Sequence, residues 1–586
     1  MLFESGKPPI DYPTSMPIWT WLFDSPASTL TTFPRSKVCS FVDSTTRKSL
    51  NYNTVAEFST YASTVLSRHH GLQPGETVCF FSHNTIWYPV AMFAALRSGG
   101  VISGASPSYT EDEMTFALKT VNAKYIFTVP GSVEIAVAAA ARAGIPKDKI
   151  FLLEGMRAGY KTLKELVEVG RREQTQMPAF DLGGRDSGEV CAYLSFSSGT
   201  TGLPKAVMIS HRNMIAQLIQ VASEKASDVD KLIAALPFFH IVGLAFSLHL
   251  PIVQNCDLVL MRAFTFPSFL ATIETFRIPE VTLAPPILLR LTRDPSVRSY
   301  DLSCVRRWHT GAAPLSRDLI RELARRFPEA GIKHGYGLTE NCGGVTVTPV
   351  TGYGYENAHT VGKLLRSTSV RIVGERGQDL GPYRQGEIWC KGPQVTMGYL
   401  NASDATKNTF MEDGWLRTGD LGCMDEEGTL TITGRIKDLV KVKGISVSPA
   451  EIEELLMDHS AVEECAVVGV PDAVSGEAPR AFVVLKEEAR ARGETSVDEV
   501  GRQLVRMVRE KKYRPKWLRG GVVFLEELPR NPSGKILRRV LVAMGDLAVV
   551  VEPEAQFEEE RKGSGNELDR KNSMRAGWFG QEKAKL

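Results

Sequence analysis

No two of the nine cysteines in this chain are spaced Cys-x-x-Cys, and they lie scattered from Cys39 to Cys465. An odd, dispersed set argues against a disulfide framework or a paired-cysteine zinc site and reads as reduced thiols. A surplus of one charge is also missing, with 69 Lys and Arg against 67 Asp and Glu. No basic stripe points to nucleic acid, and no acidic run points to an acidic tail. Residues Met1–Tyr12 carry Glu4, Lys7, Asp11 and two prolines without an apolar core, so they do not read as a secretory signal. The long apolar stretch Leu232–Val253 contains Pro237, His240, His249 and Pro251. A single span would bury those groups in hydrocarbon, so the stretch reads as core beside a site and no transmembrane segment is expected. With 586 residues, 43% hydrophobic and 23% charged, the composition is that of a soluble globular protein of several domains.

What is present is concentrated at Ser195–Lys205, Ser-Phe-Ser-Ser-Gly-Thr-Thr-Gly-Leu-Pro-Lys. Seven of these eleven residues are Ser, Thr or Gly. The strand-like Val190–Leu194 leads in and the apolar Ala206–Ile209 leads out. A strand entering a loop of small residues, hydroxyls and free backbone N–H groups is a phosphate cradle, and Lys205 adds a positive charge. Pro204 before the lysine departs from the Walker pattern.

Strand-like and helix-like segments alternate through the first three-quarters, which predicts α/β layering. Thr77–Ser82, Phe276–Ala284 and Lys333–Tyr336 read as strands. Asn84 is placed to cap a helix to Arg97 that Gly99-Gly100 ends, and Ser210 to cap one with Met214, Leu218 and Val221 on one face. From Val370 the chain turns β-rich, with Val370–Val373, Gly386–Cys390 and Thr429–Thr433. Beyond Arg435 a smaller α+β pattern begins. Ser448-Pro449-Ala450-Glu451 reads as a capping box for a helix to Met457, followed by strands Val462–Val470 and Ala481–Leu485. The polar tail Glu552–Leu586 reads as mobile.

Five further patches follow the loop. Leu236-Pro237-Phe238-Phe239-His240 sets a histidine among aromatics. Gly311-Ala312-Ala313-Pro314 is a turn of small residues against which a flat ring could lie. Gly335-Tyr336-Gly337-Leu338-Thr339-Glu340 joins an aromatic ring to a hydroxyl and a carboxylate, a pairing suited to a base and a magnesium ion. Thr418-Gly419-Asp420 offers an acceptor-only carboxylate for two ribose hydroxyls. Asn531-Pro532-Ser533-Gly534-Lys535 sets a lysine at the tip of a turn.

In this order, from about Thr20 to about Val550, these patches resemble the adenylate-forming superfamily of acyl-CoA synthetases, coumarate–CoA ligases, luciferases and peptide-synthetase adenylation domains. The closest texture is that of fungal coumarate–CoA ligase-like enzymes. The resemblance implies a large N-terminal α/β domain with a β-rich subdomain (1–434), a small mobile α+β lid (435–550) turning on Lys437, and a tail (551–586). It implies two half-reactions: ATP and a carboxylate give acyl-AMP and pyrophosphate, then coenzyme A displaces AMP.

Residue by residue, the resemblance implies that Ser197, Ser198, Gly199, Thr200, Thr201, Gly202 and Lys205 grip the β- and γ-phosphates. Thr339 meets the α-phosphate, and Glu340, with Thr201, holds Mg²⁺. Tyr336 sandwiches adenine with Gly311, Ala312 and Ala313, flanked by Gly335 and Gly337. Asp420 binds the ribose with Arg435 close by. Lys535 reaches the α-phosphate and carboxylate oxygens. The opposite lid face carries Lys441, Lys443 and Gly444, the last lining the pantetheine channel. Where coumarate–CoA ligases often have glutamine, this chain has Ser446. His240 falls at the gate between acyl pocket and CoA channel.

Phe239, His240, Val242, Gly243, Gly311, Gly335, Gly343 and Gly344 are expected to line the acyl pocket, with Cys342-Gly343-Gly344 leaving room at its floor. Leu232–Leu250 has no acidic residue to hold a substrate ammonium, so a fatty or aryl-alkanoic acid is expected. Ala584-Lys585-Leu586 is a variant of the Ser-Lys-Leu address, implying the peroxisomal import receptor as partner and the peroxisomal matrix as location. The alternatives are an enzyme loading a carrier protein, a luciferase-like oxygenase and a non-catalytic acyl-binding protein. Leu182–Ser187 only superficially resembles a carrier's phosphopantetheine site.

Overall fold

The computed structural model describes residues 1–544 apart from 198–203, 312–314, 473, 491–493 and 531–534. The chain divides into two compact units: Met1–Lys437 with Pro532–Lys535, and Asp438–Asn531 with Ile536–Leu586.

Three sheets build the large unit. The first runs Gly398–Tyr399, Lys205–Ser210, Cys191–Ser197, Val101–Ala105, Thr77–Phe81, Ala123–Thr128, Ile150–Leu152 and Lys161–Thr162. Its middle strands are parallel, and Thr77–Phe81 is buried at every position. Such continuous apolar strands occur where helices cover both faces. The second sheet runs Lys363–Leu364, Thr346–Val347, Gly331–Tyr336, Arg307–Thr310, Glu280–Thr282, Lys231–Ala234, Asp257–Leu260, Ser40–Asp43 and Ser49–Asn51. The third is antiparallel: Leu2–Glu4, Ser369–Val373, Gly386–Lys391, Leu416–Met424 and Leu430–Arg435. This is the α/β layering with a β-rich part that the sequence predicts.

In the small unit, Ile445–Val447, Val440–Val442, Gly476–Leu485 and Val462–Asp472 pair antiparallel, and Val522–Leu525 adds in parallel beside Gly476–Leu485. Helices Pro449–Met457 and Glu494–Lys511 accompany this sheet.

Local signals behave unevenly. Ser210 caps the helix His211–Ala222 by accepting from Asn213 N–H, and Met214 and Leu218 are fully buried. Gly99 at φ +80° ends Tyr88–Arg97 with the Gly100 N–H on the Ala95 carbonyl, as expected.

Three expectations need correction. Asn84 does not cap Tyr88–Arg97, which starts after Trp87. Its amide instead donates to Leu236 O at 3.0 Å and accepts from Phe238 N–H at 2.9 Å, a contact across the fold. Ser448 precedes a helix with proline at its start, yet no side-chain cap bond forms there. Glu451, the would-be box partner, is taken by Lys516 at 2.6 Å and Lys512 at 3.1 Å, because two ammonium groups outweigh one backbone N–H. Phe276 ends the helix Phe266–Phe276, and the strand is only Glu280–Thr282.

Among the described residues no helix is long and apolar enough to cross a membrane. Leu232–Val253 runs from the strand Lys231–Ala234 through a connecting segment into two short helices, Gly243–His249 and Leu250–Gln254. Within it His249 is fully buried: its Nδ1 bonds Leu244 O and its Nε2 bonds the Tyr193 hydroxyl, both at 2.7 Å. All nine cysteines are free thiols.

Candidate active site

The expected phosphate loop is held at both ends by a hairpin. Cys191–Ser197 pairs antiparallel with Lys205–Ser210, and Ser197 stands opposite Lys205. Residues 198–203, including Ser198, Gly199, Thr200, Thr201 and Gly202, lie outside the described residues. Among the described residues the buried Ser195 and Ser197 hydroxyls find no partner. Two orphan hydroxyls where the loop begins suit an anion acceptor.

The next strand in the sheet completes this corner. Gly398–Tyr399 pairs with Lys205–Ser210, with Tyr399 opposite Val207. The Lys205 ammonium sits 5.0 Å from the centre of the Tyr399 ring, and the Tyr399 hydroxyl donates to Glu340 Oε1 at 2.9 Å. Lys205, Tyr399 and Glu340 are thus one cluster, although they span almost two hundred positions. Sequence reasoning missed Tyr399. Glu340 lies in a short turn, Thr339–Asn341, and its backbone carbonyl accepts from Thr396 N–H at 3.0 Å. Among the described residues no group of three or more His, Cys, Asp or Glu could hold a metal. A lone half-buried carboxylate beside a phosphate loop still fits Mg²⁺, which takes one or two carboxylates and completes its shell with substrate phosphates and water.

A second corner joins the second and third sheets. Tyr336 closes the strand Gly331–Tyr336, and its hydroxyl donates to Asp420 Oδ2 at 2.8 Å. Arg435, opposite Asp420 in register, meets Oδ1 at 2.7 Å. Asp420 is 2% exposed and its carboxylate uses two of about four acceptor sites. Capacity for two ribose hydroxyls therefore remains. Tyr336 belongs to the same buried apolar cluster as Val345, Val361 and Leu364, while its hydroxyl is held by Asp420. Gly311 and Gly335 approach closely: a methyl group on Gly311 would stand 3.0 Å from Gly335 O. A methyl group on Gly337 would stand 2.2 Å from Gly343 O, so Gly337 is a close-approach glycine. Ala312 and Ala313 lie outside the described residues.

The acyl-pocket expectation changes most. Gly343 sits at φ +97°, and a methyl group there would meet Phe246 at 3.2 Å and Ile241 at 3.6 Å. At Gly344 it would meet the Gln217 amide at 2.8 Å and Leu365 at 3.2 Å. The two glycines therefore open no room of their own; Phe246 and Gln217 occupy that space. Gly243 is likewise filled, its missing side chain replaced by Pro237 O at 2.0 Å. Gly104, inside a strand, is the counterpart that sequence reasoning passed over: a methyl group there would lie 2.7 Å from Phe239 Cα. A glycine within a strand pattern is the signal for such a backbone approach. Phe239, His240 and Val242 are all half-buried, with His240 O accepting from Leu244 N–H at 2.8 Å. Burial, with a smaller push from the Lys535 ammonium, lowers the His240 imidazole to about 4, so it is neutral at physiological pH. Lys535 is half-buried and groups with the large unit. Thr339 is half-buried at the start of its turn.

Within the small unit, Lys441 donates to Ser446 Oγ at 2.6 Å, while its N–H meets Glu477 Oε2 at 2.7 Å. Lys443 at φ +48° and Gly444 at φ +80° form the turn between strands Val440–Val442 and Ile445–Val447. Nothing lies within 4 Å of the position a side chain would take at Gly444. Lys437 closes the large unit at the division point. Ser187, the decoy serine, is fully buried and has no access to a modifying enzyme.

The AMP-binding enzyme family matches residues 29–400, and the AMP-binding enzyme C-terminal domain matches 451–535. The peroxisomal OPC-8:0-CoA ligase 1 of Arabidopsis thaliana is 32% identical over 92% of this chain and 95% of its own. The 4-coumarate–CoA ligase 2 of Petroselinum crispum is 32% identical over 93% of this chain and 98% of its own. Among solved structures, ATP-bound MatB from Rhodopseudomonas palustris superposes with a TM-score of 0.78 at 26% identity, over 90% of this chain and 98% of that one. With two clusters stitching three sheets together where the sequence placed ATP, and with matches spanning nearly the whole described fold, the chain belongs to the AMP-binding enzyme family and is an adenylate-forming enzyme of the acyl-CoA synthetase and coumarate–CoA ligase type.

Proposed function

We propose that this protein is an ATP-dependent acid–thiol ligase acting on a hydrophobic carboxylic acid without an α-amino group. In the first half-reaction a carboxylate oxygen attacks the α-phosphorus, a P–O bond forms, and pyrophosphate leaves. In the second the coenzyme A thiol, losing its proton, attacks the acyl carbon and AMP leaves. The observation carrying this reading is the paired arrangement of Lys205–Tyr399–Glu340 and Tyr336–Asp420–Arg435. It sets a cation and a carboxylate beside the loop expected to hold the phosphates, and a buried acceptor where the ribose is expected.

Two like-charged reactants must meet, so the work of the site is screening and positioning. Ser197 and Lys205 bind the outer phosphates. Tyr399 fixes one oxygen of Glu340, leaving the other free to hold Mg²⁺, which supplies charge neutralisation on the phosphates when bound. Thr339 orients the α-phosphate, and Asp420 with Arg435 fixes the ribose. Lys535 stabilises charge developing at the α-phosphate. Neutral His240 separates the acyl pocket from the thiol route, Lys441, Lys443 and Gly444 serve the second half-reaction, and Lys437 is the hinge.

The acid is of fatty or aryl-alkanoic type. Supporting this, the region around Phe239 carries no acidic side chain, and Phe246 and Ile241 present apolar surface at Gly343. A pyrophosphate-release screen across fatty, aryl and amino acids, with and without coenzyme A, tests the reading. Release with fatty or aryl acids and CoA-dependent turnover are expected; release with α-amino acids alone would sink it. We also place the protein in the peroxisome. The OPC-8:0-CoA ligase relative is named peroxisomal, and Ala584-Lys585-Leu586 ends the chain, outside the described residues. A reporter fused to Glu552–Leu586 that stays diffuse in the cytosol would refute this address.

A further inference from the structure

A cavity of about 600 Å³ opens in the large unit where Pro295–Arg306 meets Arg326–Ala330. It belongs to none of the residues placed in the adenylating site. Strands Arg307–Thr310 and Gly331–Tyr336 both begin beside it, whereas Gly311 and Tyr336 lie at their far ends. Six residues of strand span about 20 Å, so the two sites are at opposite ends of these strands.

The lining is of two kinds. Leu302, Val305 and Phe327 offer apolar surface. Arg298, Arg306 and Arg326 line the same space, and among the described residues none of the three is paired with a carboxylate. Arg326 ends the helix Arg317–Arg326, where a cation suits the helix dipole, so it alone would need no ligand. Arg298 lies in the last turn of the short helix Pro295–Ser299, and Arg306 comes from a connecting segment with no helix end to explain it. Burial and the neighbouring Arg298 and Arg325 charges lower the Arg326 guanidinium's affinity for its proton, so Arg298 and Arg326 stand close enough to repel each other. Glu329 is the one acid in the lining. Unpaired cations beside buried apolar surface, in a volume within the usual range for small-molecule sites, complement an anion with an apolar tail.

We propose that this cavity is a second ligand site for a free long-chain carboxylate, its head among Arg298, Arg306 and Arg326 and its chain on Leu302, Val305 and Phe327. The inference does not depend on which acid the adenylating site takes. The test is equilibrium dialysis of radiolabelled laurate against the full chain and against the Arg298→Glu/Arg306→Glu variant. Both arginines are exposed, so the variant should keep the wild-type thermal melt and its pyrophosphate-release rate. The expected result is one bound laurate fewer per chain, or at least a tenfold weaker site, in the variant. Indistinguishable isotherms would overturn the proposal. So would dodecanol competing as well as laurate, which would mean that only apolar surface is read. Displacement of laurate by millimolar inorganic phosphate, or preference for anionic phospholipid vesicles over free laurate, would overturn it as well.

Discussion

Lys535→Ala lowers the rate of acyl-AMP formation by about 10²–10³-fold while coenzyme A transfer from supplied acyl-AMP persists. A carboxylate approaching a phosphate places negative charge on oxygens that water would otherwise solvate. A positioned ammonium that interacts more strongly with the transition state than with the separate anions contributes about 3–4 kcal/mol, which is that loss in rate. The measurement is pyrophosphate release for the first half-reaction and consumption of synthetic acyl-AMP for the second. Because the two halves have different leaving groups, one residue dedicated to the first must separate them. Equal loss in both would remove Lys535 from this role. Lys441→Ala, in the strand that leads into the Lys443-Gly444 turn, is the natural counterpart and should show the opposite split.

Glu280→Gln is the second large effect, on stability rather than rate. Glu280 is 4% exposed and is met by Lys333 at 2.8 Å and Arg307 at 3.0 Å. Arg307 continues to Asp228, and His309 stands 3.9 Å from the same carboxylate. Burial pushes the carboxyl up, but the Lys333 and His309 charges and the hydrogen bonds from Lys333 and Arg307 outweigh it and hold it at about 2. Removing the charge strands the buried Lys333 ammonium, and breaking such a pair costs about 3–5 kcal/mol. The cluster ties together the strands that lead to Gly311 and Tyr336, so the loss should appear as a lower unfolding midpoint of the large unit. Pairing the change with Lys333→Met should recover part of it, since no cation is then left unmatched. The pH dependence has a definite sign. A carboxyl whose folded pKa is depressed stabilises fully above its unfolded value near 4.5, and that contribution disappears as pH falls towards about 2. Glu280→Gln should flatten this acid limb. A wild-type midpoint in Glu280→Gln would mean that the network contributes nothing.

How much of this was legible depended on the range over which each signal acts. The hairpin around the expected phosphate loop could be read because Ser197, Lys205 and the strands on either side are neighbours in sequence. Tyr336, Glu340 and Asp420 stood out as short motifs, yet nothing local indicated that Tyr336 would bond Asp420 or that Tyr399 would hold Glu340. Asn84 looked like a cap because a cap is a local bond; a partner some 150 residues away won instead. Glu451 lost its capping role in the same way, to Lys512 and Lys516.

The sequence by itself determined the layering, the free thiols, the motifs of an adenylate-forming enzyme and the apolar character of Leu232–Leu250. Hydrophobic period, turn chemistry and motif spacing are properties of neighbours along the chain, so they survive without a structure. Only the tertiary structure decided which side chains share a cluster and what occupies the space beside a glycine. Gly343 and Gly344 show why: a missing side chain marks a place where something comes close, and whether that is substrate or Phe246 and Gln217 is settled by segments about a hundred residues or more away.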